Sequence, residues 1–470
     1  MGGGLLQLVA HGAQDAYLTG NPQITFWKGL FKRHTNFAME PFRINLTGMP
    51  MWGQKQSATL GRHADLVYST YLSIQLPRTD PTKGGATIQW NNEQGRLGYN
   101  LLDYVELEVG GQLVDRLYSE WLYLWDTLTS DYNTSQKLRD MIGGNLASGY
   151  TTLTDTTSCI QGIGRPVHPN VFFVPLPFFY TKNPGAALPL IALQYHEVKI
   201  NINWNKSQFV GHSQANGAAP TLISALSAPP SPTSVALYVD YIYLDVDERR
   251  RMAQESHEYL IEQVQFNEDK GISSASNRID LTFNHPVKEL VWVVQPERFT
   301  NCKIADATSQ TAGVLRPDSG RLTPFTYTYV NQATPPATTQ PIFEQWLQIN
   351  GQDRMDRRNG DYFNKVQIYQ HHSGTMAPLG FDGSAVQSTG VQPTRHQAIY
   401  SYSFALKPEE QQPSGTCNFS RIDTATIVMN MSGDYVVDES TDNNWNVRVY
   451  ATNYNILRIM SGMAGLAYAN

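Results

Sequence analysis

Four landmarks occur twice along this chain, in the same order, and that ordered recurrence restricts the fold more than any other feature. Leu72-Ser73-Ile74-Gln75-Leu76-Pro77 is matched by Val291-Trp292-Val293-Val294-Gln295-Pro296. Glu108-Val109-Gly110-Gly111-Gln112, then Asp115-Arg116, is matched by Gln348-Ile349-Asn350-Gly351-Gln352, then Asp356-Arg357. Phe178-Phe179-Tyr180 before a proline-rich turn is matched by Phe404-Ala405-Leu406 before Pro408, and the run Leu237 to Leu244 by Val447 to Tyr454. The copies stand 219 residues apart at Pro77 and Pro296, and 240 apart at Gly111 and Gly351. Chance pairs would not keep order and spacing together, so the chain reads as two copies of one domain. At 470 residues, two β domains of roughly 200–250 residues account for the length.

The repeated unit is all-β. Apolar residues alternate with polar ones at Leu72, Ile74 and Leu76, at Val105, Leu107 and Val109, at Val198, Ile200, Ile202 and Trp204, and at Tyr400, Tyr402, Phe404 and Leu406. A period of two is a strand with one buried face. Helical signals are few: Leu117, Trp121, Leu124, Trp125 and Leu128 share one helical face, and Asp247 to Gln254 is a short polar helix capped at Asp245 or Asp247. Many strands, turn residues and no alternation of strand with helix favour a sandwich of the jelly-roll type. The expected organisation is an N-terminal arm (1–38), a first eight-stranded jelly roll (39–246), a linker helix (247–256) and a second jelly roll (257–470). Long polar loops, at Asn205 to Ser234, Ala305 to Pro341 and His371 to Arg395, sit on the ends of that scaffold.

Charged residues make up 16% of the chain, against about 25% for an ordinary soluble domain. That leaves room for large surfaces covered by neighbouring copies. Net charge is −6, and neither half carries the basic excess of a nucleic-acid groove. Three scattered cysteines, Cys159, Cys302 and Cys417, suggest neither a disulfide framework nor a zinc site. No run approaches 18 apolar residues, the length needed to cross a bilayer as a helix.

The N-terminal segment Gln14-Asp15-Ala16-Tyr17-Leu18-Thr19-Gly20-Asn21-Pro22-Gln23-Ile24-Thr25-Phe26, continued by Arg33-His34-Thr35-Asn36-Phe37-Ala38, resembles the opening motif of the major capsid proteins of nucleocytoplasmic large DNA viruses. Leu188 to Val198 (LPLIALQYHEV), Asp247 to Gln254 (DERRRMAQ) and His257 to Gln263 (HEYLIEQ) resemble further blocks of the same family. These blocks lie in the first 265 residues; the second half resembles the family through its length and repeat. The resemblance implies a double jelly roll, a homotrimeric capsomer of pseudo-hexagonal outline, and an icosahedral shell in a virion assembled in the host cytoplasm. It implies partners among neighbouring capsomers, minor capsid or cement proteins and penton proteins, with no catalysis and no cofactor. In the family the N-terminal arm lies on the inner face and the long loops form the outer tower.

The residues themselves suggest no chemistry. His371, His372 and His396 lack a carboxylate or cysteine at ligand spacing and read as loop histidines. His257-Glu258 opens like a zinc-protease motif, but Ile261 stands where its second histidine belongs. Asp353, Asp356 and Asp361 miss the spacing of a calcium loop and read as a solvated turn. Arg249, Arg250 and Arg251 lie among Asp245, Asp247, Glu248 and Glu255, which suggests a salt-bridged linker helix. In the arm, Leu5, Leu6, Leu8 and Val9 on a glycine leader read as a flexible strand that docks on protein on the inner face, with the internal membrane as a further partner. Phe26, Trp27, Leu30 and Phe31 have helical spacing and are expected to pack under the first jelly roll. The competing function is a carbohydrate-binding or carbohydrate-cleaving jelly roll. It requires paired carboxylates facing a tryptophan-lined groove.

Overall fold

The computed structural model describes residues 3–27, 32–77, 87–92, 95–144, 149–151, 171–214, 221–222, 230–297, 325, 327, 341–374, 398–431 and 444–468. Cys159, Cys302, His396, Leu30, Phe31 and most of the loops 305–341 and 371–395 lie outside the described residues.

The first half supplies eight principal strands: β1 (Phe37–Asn45), β2 (Lys55–Thr59), β3 (Leu66–Gln75), β4 (Leu102–Val109), β5 (Gln112–Tyr118), β6 (Val171–Pro175), β7 (Val198–Trp204) and β8 (Ser234–Leu244). They form two antiparallel sheets, in the orders β1-β8-β3-β6 and β2-β7-β4-β5. The second half supplies β9 (His257–Ile272), β10 (Ser276–Asp280), β11 (Pro286–Pro296), β12 (Ile342–Ile349), β13 (Gln352–Asp353), β14 (Ile399–Ser403), β15 (Ala425–Met431) and β16 (Trp445–Met460). Their orders are β9-β16-β11-β14 and β10-β15-β12-β13. Adding eight to every strand number of the first half yields the second. The chain is a double jelly roll, and three of the four repeated landmarks fall on equivalent strands, while the fourth, Phe178 to Tyr180 and Phe404 to Leu406, follows the equivalent strands β6 and β14.

Local chemistry explains the equivalence. Gly110 and Gly111 have φ of 59° and 84°, and Asn350 and Gly351 have φ of 49° and 75°. Both pairs turn a two-residue hairpin, β4 into β5 and β12 into β13. Such a turn needs positive φ at both central positions, which Gly-Gly and Asn-Gly supply. Along β3, Leu72 and Ile74 point inward and are wholly buried, while Tyr71, Ser73 and Gln75 point outward. In the second sandwich Trp292 of β11 reaches across the core, and its indole N–H donates to Gln345 Oε1 on β12 at 3.0 Å.

Besides single turns at Leu97–Asn100, Phe179–Lys182 and Ser207–Val210, the helices of the described residues are α1 (Gly3–Val9), α2 (Asp15–Thr19), α3 (Ser119–Thr129), α4 (Tyr132–Ile142), α5 (Val246–Gln254) and α6 (Gln367–His371), the last preceded by a π-helical turn over Tyr362–Val366. The apolar face expected over Leu117 to Leu128 is α3 from Trp121 onward, whereas Leu117 is the buried penultimate residue of strand β5. Nothing in the apolar periodicity marks α4, but its ends do: Asp131 accepts the Thr134 N–H, and Gly143 (φ 122°) follows its last turn. The polar helix expected at Asp247 to Gln254 is α5, and Asp245 caps it.

Three local expectations are corrected. Gly3 to Val9 is a helix rather than a strand: Leu5, Leu6, Gln7 and Leu8 are strong helix formers, with glycine confined to the first turn. The alternation from Tyr400 stops as a strand at Ser403, leaving Leu406 76% exposed. The loop from Asn205 to Ser234 contains the strands Gly211–Gln214 and Thr221–Leu222, which extend a small sheet with Thr87–Asn92. Its far end is anchored, because the Pro230 carbonyl accepts the Trp52 indole N–H at 2.6 Å.

Candidate assembly surfaces and the seam between the sandwiches

The two sandwiches meet where an edge of one faces an edge of the other. β5 ends the second sheet of the first sandwich, and β9 ends the first sheet of the second. Exposed strand edges carry unpaired N–H and C=O groups that must be covered. Here side chains cover them: Asp115 Oδ1 accepts the Val264 N–H at 3.1 Å, and Gln263 Nε2 donates to the Val114 carbonyl.

Beside this edge contact, α3 lies on the outward face of the sheet β9-β16-β11-β14. Glu120, in the first turn of α3, accepts from Arg448 Nε and Nη2 at 2.6 Å each and from the Tyr450 hydroxyl at 2.6 Å. The Tyr327 hydroxyl adds a further hydrogen bond at 3.0 Å. Trp121 packs 5.4 Å from the Tyr450 ring, and Tyr118 lies 4.8 Å from Phe266. Burial works against the Arg448 guanidinium, yet Glu120 raises its pKa well above the usual arginine value, and burial beside Glu120 drives the Tyr450 and Tyr327 hydroxyls up. A buried pair of this kind holds a fixed geometry; removing one partner strands the other charge.

A second buried cluster lies next to it. Glu262 accepts from Lys182 at 2.7 Å and from Lys288 at 2.6 Å, and the Lys288 side chain is wholly buried. Burial by itself would raise the Glu262 carboxyl; the two ammonium groups hold it below its ordinary value. Burial lowers Lys288 despite Glu262. Asp115 has no such clamp, and burial pushes its carboxyl up to about 7 in spite of the Val264 N–H. Lys182 also lies 4.1 Å from the centre of the Trp125 ring.

Asp115, Glu262, Trp121 and Trp125 thus bring paired carboxylates next to tryptophans, the pattern a carbohydrate reading requires. The space between them is a cavity of about 10 Å3, room for one water and no sugar. Glu262 is already neutralised by two lysines, and Asp115 caps a strand edge. No observation favours the carbohydrate reading. Among the described residues no cluster of His, Cys, Asp and Glu could hold a metal ion, and no helix is long and apolar enough to cross a membrane.

His372 is not a solvated loop histidine. Its side chain is wholly buried, Nε2 lies 2.8 Å from Ser401 Oγ and 3.7 Å from Glu289, and Nδ1 lies 3.3 Å from Glu409. The next residues cross to the first sandwich: Ser373 Oγ and the Gly374 N–H donate to the carbonyls of Thr129 and Leu128 at the end of α3. A side chain at Gly374 would collide with the Leu128 carbonyl. Sequence reasoning missed this clasp because its carboxylates are distant in the chain, Glu289 on β11 and Glu409 in the turn after β14.

The arm behaves differently from the seam. Leu5, Leu6, Leu8 and Val9 are exposed, and Phe26 and Trp27 are 94% and 90% exposed. Phe26 and Trp27 touch each other, ring centres 5.2 Å apart, rather than packing under the first sandwich. In α5, Arg249 pairs with Asp65 of the first sandwich at 3.1 Å, whereas Arg251 pairs along the helix with Glu255 at 3.8 Å. Arg250 lies on the same helix, which buries no residue. Asp353 and Asp356 are exposed, and Asp361 pairs with Lys365 at 3.0 Å, as in a solvated turn.

Comparison with known proteins agrees with this architecture. A family described as "Large eukaryotic DNA virus major capsid protein" matches residues 248–465, and one described as "Major capsid protein N-terminus" matches residues 25–245. The chain is 43% identical to the major capsid protein of Pyramimonas orientalis virus and 39% identical to that of Phaeocystis pouchetii virus, with 100% of each chain covered in both cases. Among solved structures, it superposes on the quasi-atomic PBCV-1 virus capsid with a TM-score of 0.67 at 33% identity, covering 95% of this chain and 100% of that one. The Faustovirus major capsid protein, 12% identical, shares the fold with a TM-score of 0.65 over 96% of this chain and 94% of that one.

Proposed function

Because the chain belongs to the large eukaryotic DNA virus major capsid protein family, and is therefore a structural component of a virion capsid, we propose that three copies close into one capsomer that tiles an icosahedral shell. The observation that carries this reading is the duplication within one chain. Three chains bring six sandwiches of one strand order around an axis, and a near-hexagonal block tiles a curved surface with few kinds of contact. The low charge content supports large shared interfaces. The role is structural: the buried carboxylates serve the seam, and no catalytic step or cofactor is assigned.

The partners in this reading are neighbouring capsomers, minor capsid or cement proteins and penton proteins, with assembly in the host cytoplasm. The exposed apolar residues of the arm, Leu5, Leu6, Leu8, Val9, Phe26 and Trp27, fit an inner-face contact with minor proteins, or with the internal membrane. So many exposed apolar side chains on a short tail are a liability without a partner. Light scattering and negative-stain microscopy of the purified chain test the reading: pseudo-hexagonal trimers that survive dilution are expected. A stable monomer at micromolar concentration overturns it.

A further inference from the structure

The end of the chain returns to the first sandwich. After β16 the turn Ser461-Gly462, with φ of 53° and 80°, reverses the backbone into β17 (Met463–Leu466), which pairs with the end of β16. Every second residue of such a strand turns its N–H away from the ladder, and N–H groups on a free edge need acceptors. The first sandwich supplies them. The Ala464 N–H donates to His196 Nδ1 at 3.1 Å and the Leu466 N–H to Gln112 Oε1 at 3.3 Å. The Gly462 carbonyl accepts the Tyr195 N–H at 3.0 Å. One edge of the hairpin thus serves the second sandwich and the other edge the first.

His196 is half-buried in the loop between β6 and β7, with its ring against the β4–β5 turn. A side-chain carbon at Gly110 would fall 2.3 Å from Nδ1, so only glycine leaves the ring its place. Facing an N–H donor, Nδ1 must be the acceptor, which puts the ring proton on Nε2. An imidazolium carries N–H at both nitrogens, and its Nδ1–H would meet the Ala464 N–H head-on. The charges around the ring are already engaged. Ser461 to Ala467 has no ionisable side chain. On β4, Glu108 accepts from Asn201 Nδ2 at 2.9 Å. In the loop, Glu197 pairs with Lys199 at 3.3 Å, and Arg62 donates to the Leu193 and Gln194 carbonyls. Arg458 on β16 pairs with Glu258 at 2.8 Å. The same loop reaches the end of the molecule from which the arm leaves. There the Ile191 N–H donates to the Asp65 carbonyl at 3.1 Å, Asp65 Oδ2 accepts the Leu244 N–H at 2.9 Å, and Leu244 pairs with Phe37 at the start of β1.

We propose that His196 is a proton-operated catch: β17 is fastened to the first sandwich while the imidazole is neutral, and is released when Nδ1 takes up a proton. The sign follows from the bond. A contact that requires the neutral ring is complete at neutral pH and is lost as the pH falls. Acid unfastens the two sandwiches at the arm's end, while the contacts of Glu120 and Glu262 keep them joined at the seam. The catch belongs to the single chain and does not depend on the trimer reading.

Hydrogen exchange of the full chain at pH 7.5 and 5.5, corrected for intrinsic rates and resolved to single amides, tests the catch at Ala464 and Leu466. A free imidazole titrates at about pH 6.5, so protection of both amides should fall by about 10-fold at the lower pH. The amides of Val447 to Ala451, inside β16, should keep theirs. His196→Asn puts Oδ1 in the place of Nδ1, an acceptor at either pH, and should hold β17 closed at both. Ala464→Pro removes the donor instead, and proline is tolerated where the N–H of an edge strand points away from the ladder. The Leu466 amide of that variant should be equally protected at the two pH values. Protection that does not fall with pH in the unaltered chain overturns the catch by itself, whether or not the variants fold. So does a fall in H196N or A464P as large as in the unaltered chain.

Discussion

Replacing Asp115 by Asn should stabilise this protein at neutral and alkaline pH and remove part of its pH dependence. The Asp115 carboxyl sits in the seam with its pKa pushed by burial from 3.8 to about 7. At about 1.4 kcal/mol per pH unit, its ionised form is disfavoured in the fold by about 4 kcal/mol. The direction is opposite to that of a salt-bridged carboxylate. Between pH about 4 and 7 the folded chain keeps a proton that the unfolded chain has released. Stability from this group therefore falls as pH rises through that window, and levels off above it. Asn cannot ionise, yet its Oδ1 can still accept the Val264 and Arg116 N–H groups that Asp115 Oδ1 accepts at 3.1 and 2.9 Å. The expected gain for D115N is about 2–4 kcal/mol at pH 8, shrinking towards zero near pH 4. Urea unfolding of both proteins from pH 4 to 8, followed by tryptophan fluorescence, measures this, and the difference between the curves isolates Asp115 from other titrating groups. A variant no more stable than the parent at pH 8, or a difference that does not grow with pH, would refute the account of a buried, costly carboxylate.

Glu120→Ala should lower stability by about 3–5 kcal/mol by stranding Arg448 in the seam, read as a fall in the urea midpoint; a change under 1 kcal/mol (about one ordinary surface substitution) contradicts the pairing. Glu262→Gln should be similarly costly at pH 7 because Lys288 stays buried. Glu262 is held below its ordinary value, so the parent's advantage exists above pH about 4.5 and narrows as acid protonates the carboxylate; a deficit that does not change with pH argues against that origin. Deleting Met1 to Gly12 should leave trimer formation and the melting temperature unchanged while impairing shell assembly, and strong hydrogen-exchange protection of Leu5 to Val9 in free trimers would contradict it. Replacing Ala225 to Pro229 with a Gly/Ser linker should preserve soluble trimer. Extending the replacement to Pro232 should cost up to about 1 kcal/mol, because the linker keeps a carbonyl at position 230 but loses the prolines that hold it against the Trp52 indole N–H, and equal midpoints for the two replacements would show that these prolines are not needed for that bond.

Repeat, period and turn chemistry were legible in the linear sequence because they are local. Gly110-Gly111 and Asn350-Gly351 announce the same hairpin through backbone freedom alone. Leu72 and Ile74 announce a buried face through alternation, and Asp245 announces a helix start. Motif blocks such as LPLIALQYHEV carry the family resemblance in the same direct way. The seam was not legible, since its charges come from distant positions: Glu120 is 328 residues from Arg448, and Lys182 is 80 from Glu262. Nothing in the neighbourhood of Glu120 or Glu262 says which will be buried and paired and which solvated like Glu258, because burial is decided by what the rest of the chain lays over each position. For the same reason His372 read as a loop histidine until Glu289 and Glu409 closed around it. Phe26 and Trp27 read as core until the fold left them in solvent. Hydrophobicity tells which residues gain from being covered; only tertiary packing decides which of them the same chain covers, and it leaves Val366, Tyr369 and the apolar residues of the arm exposed.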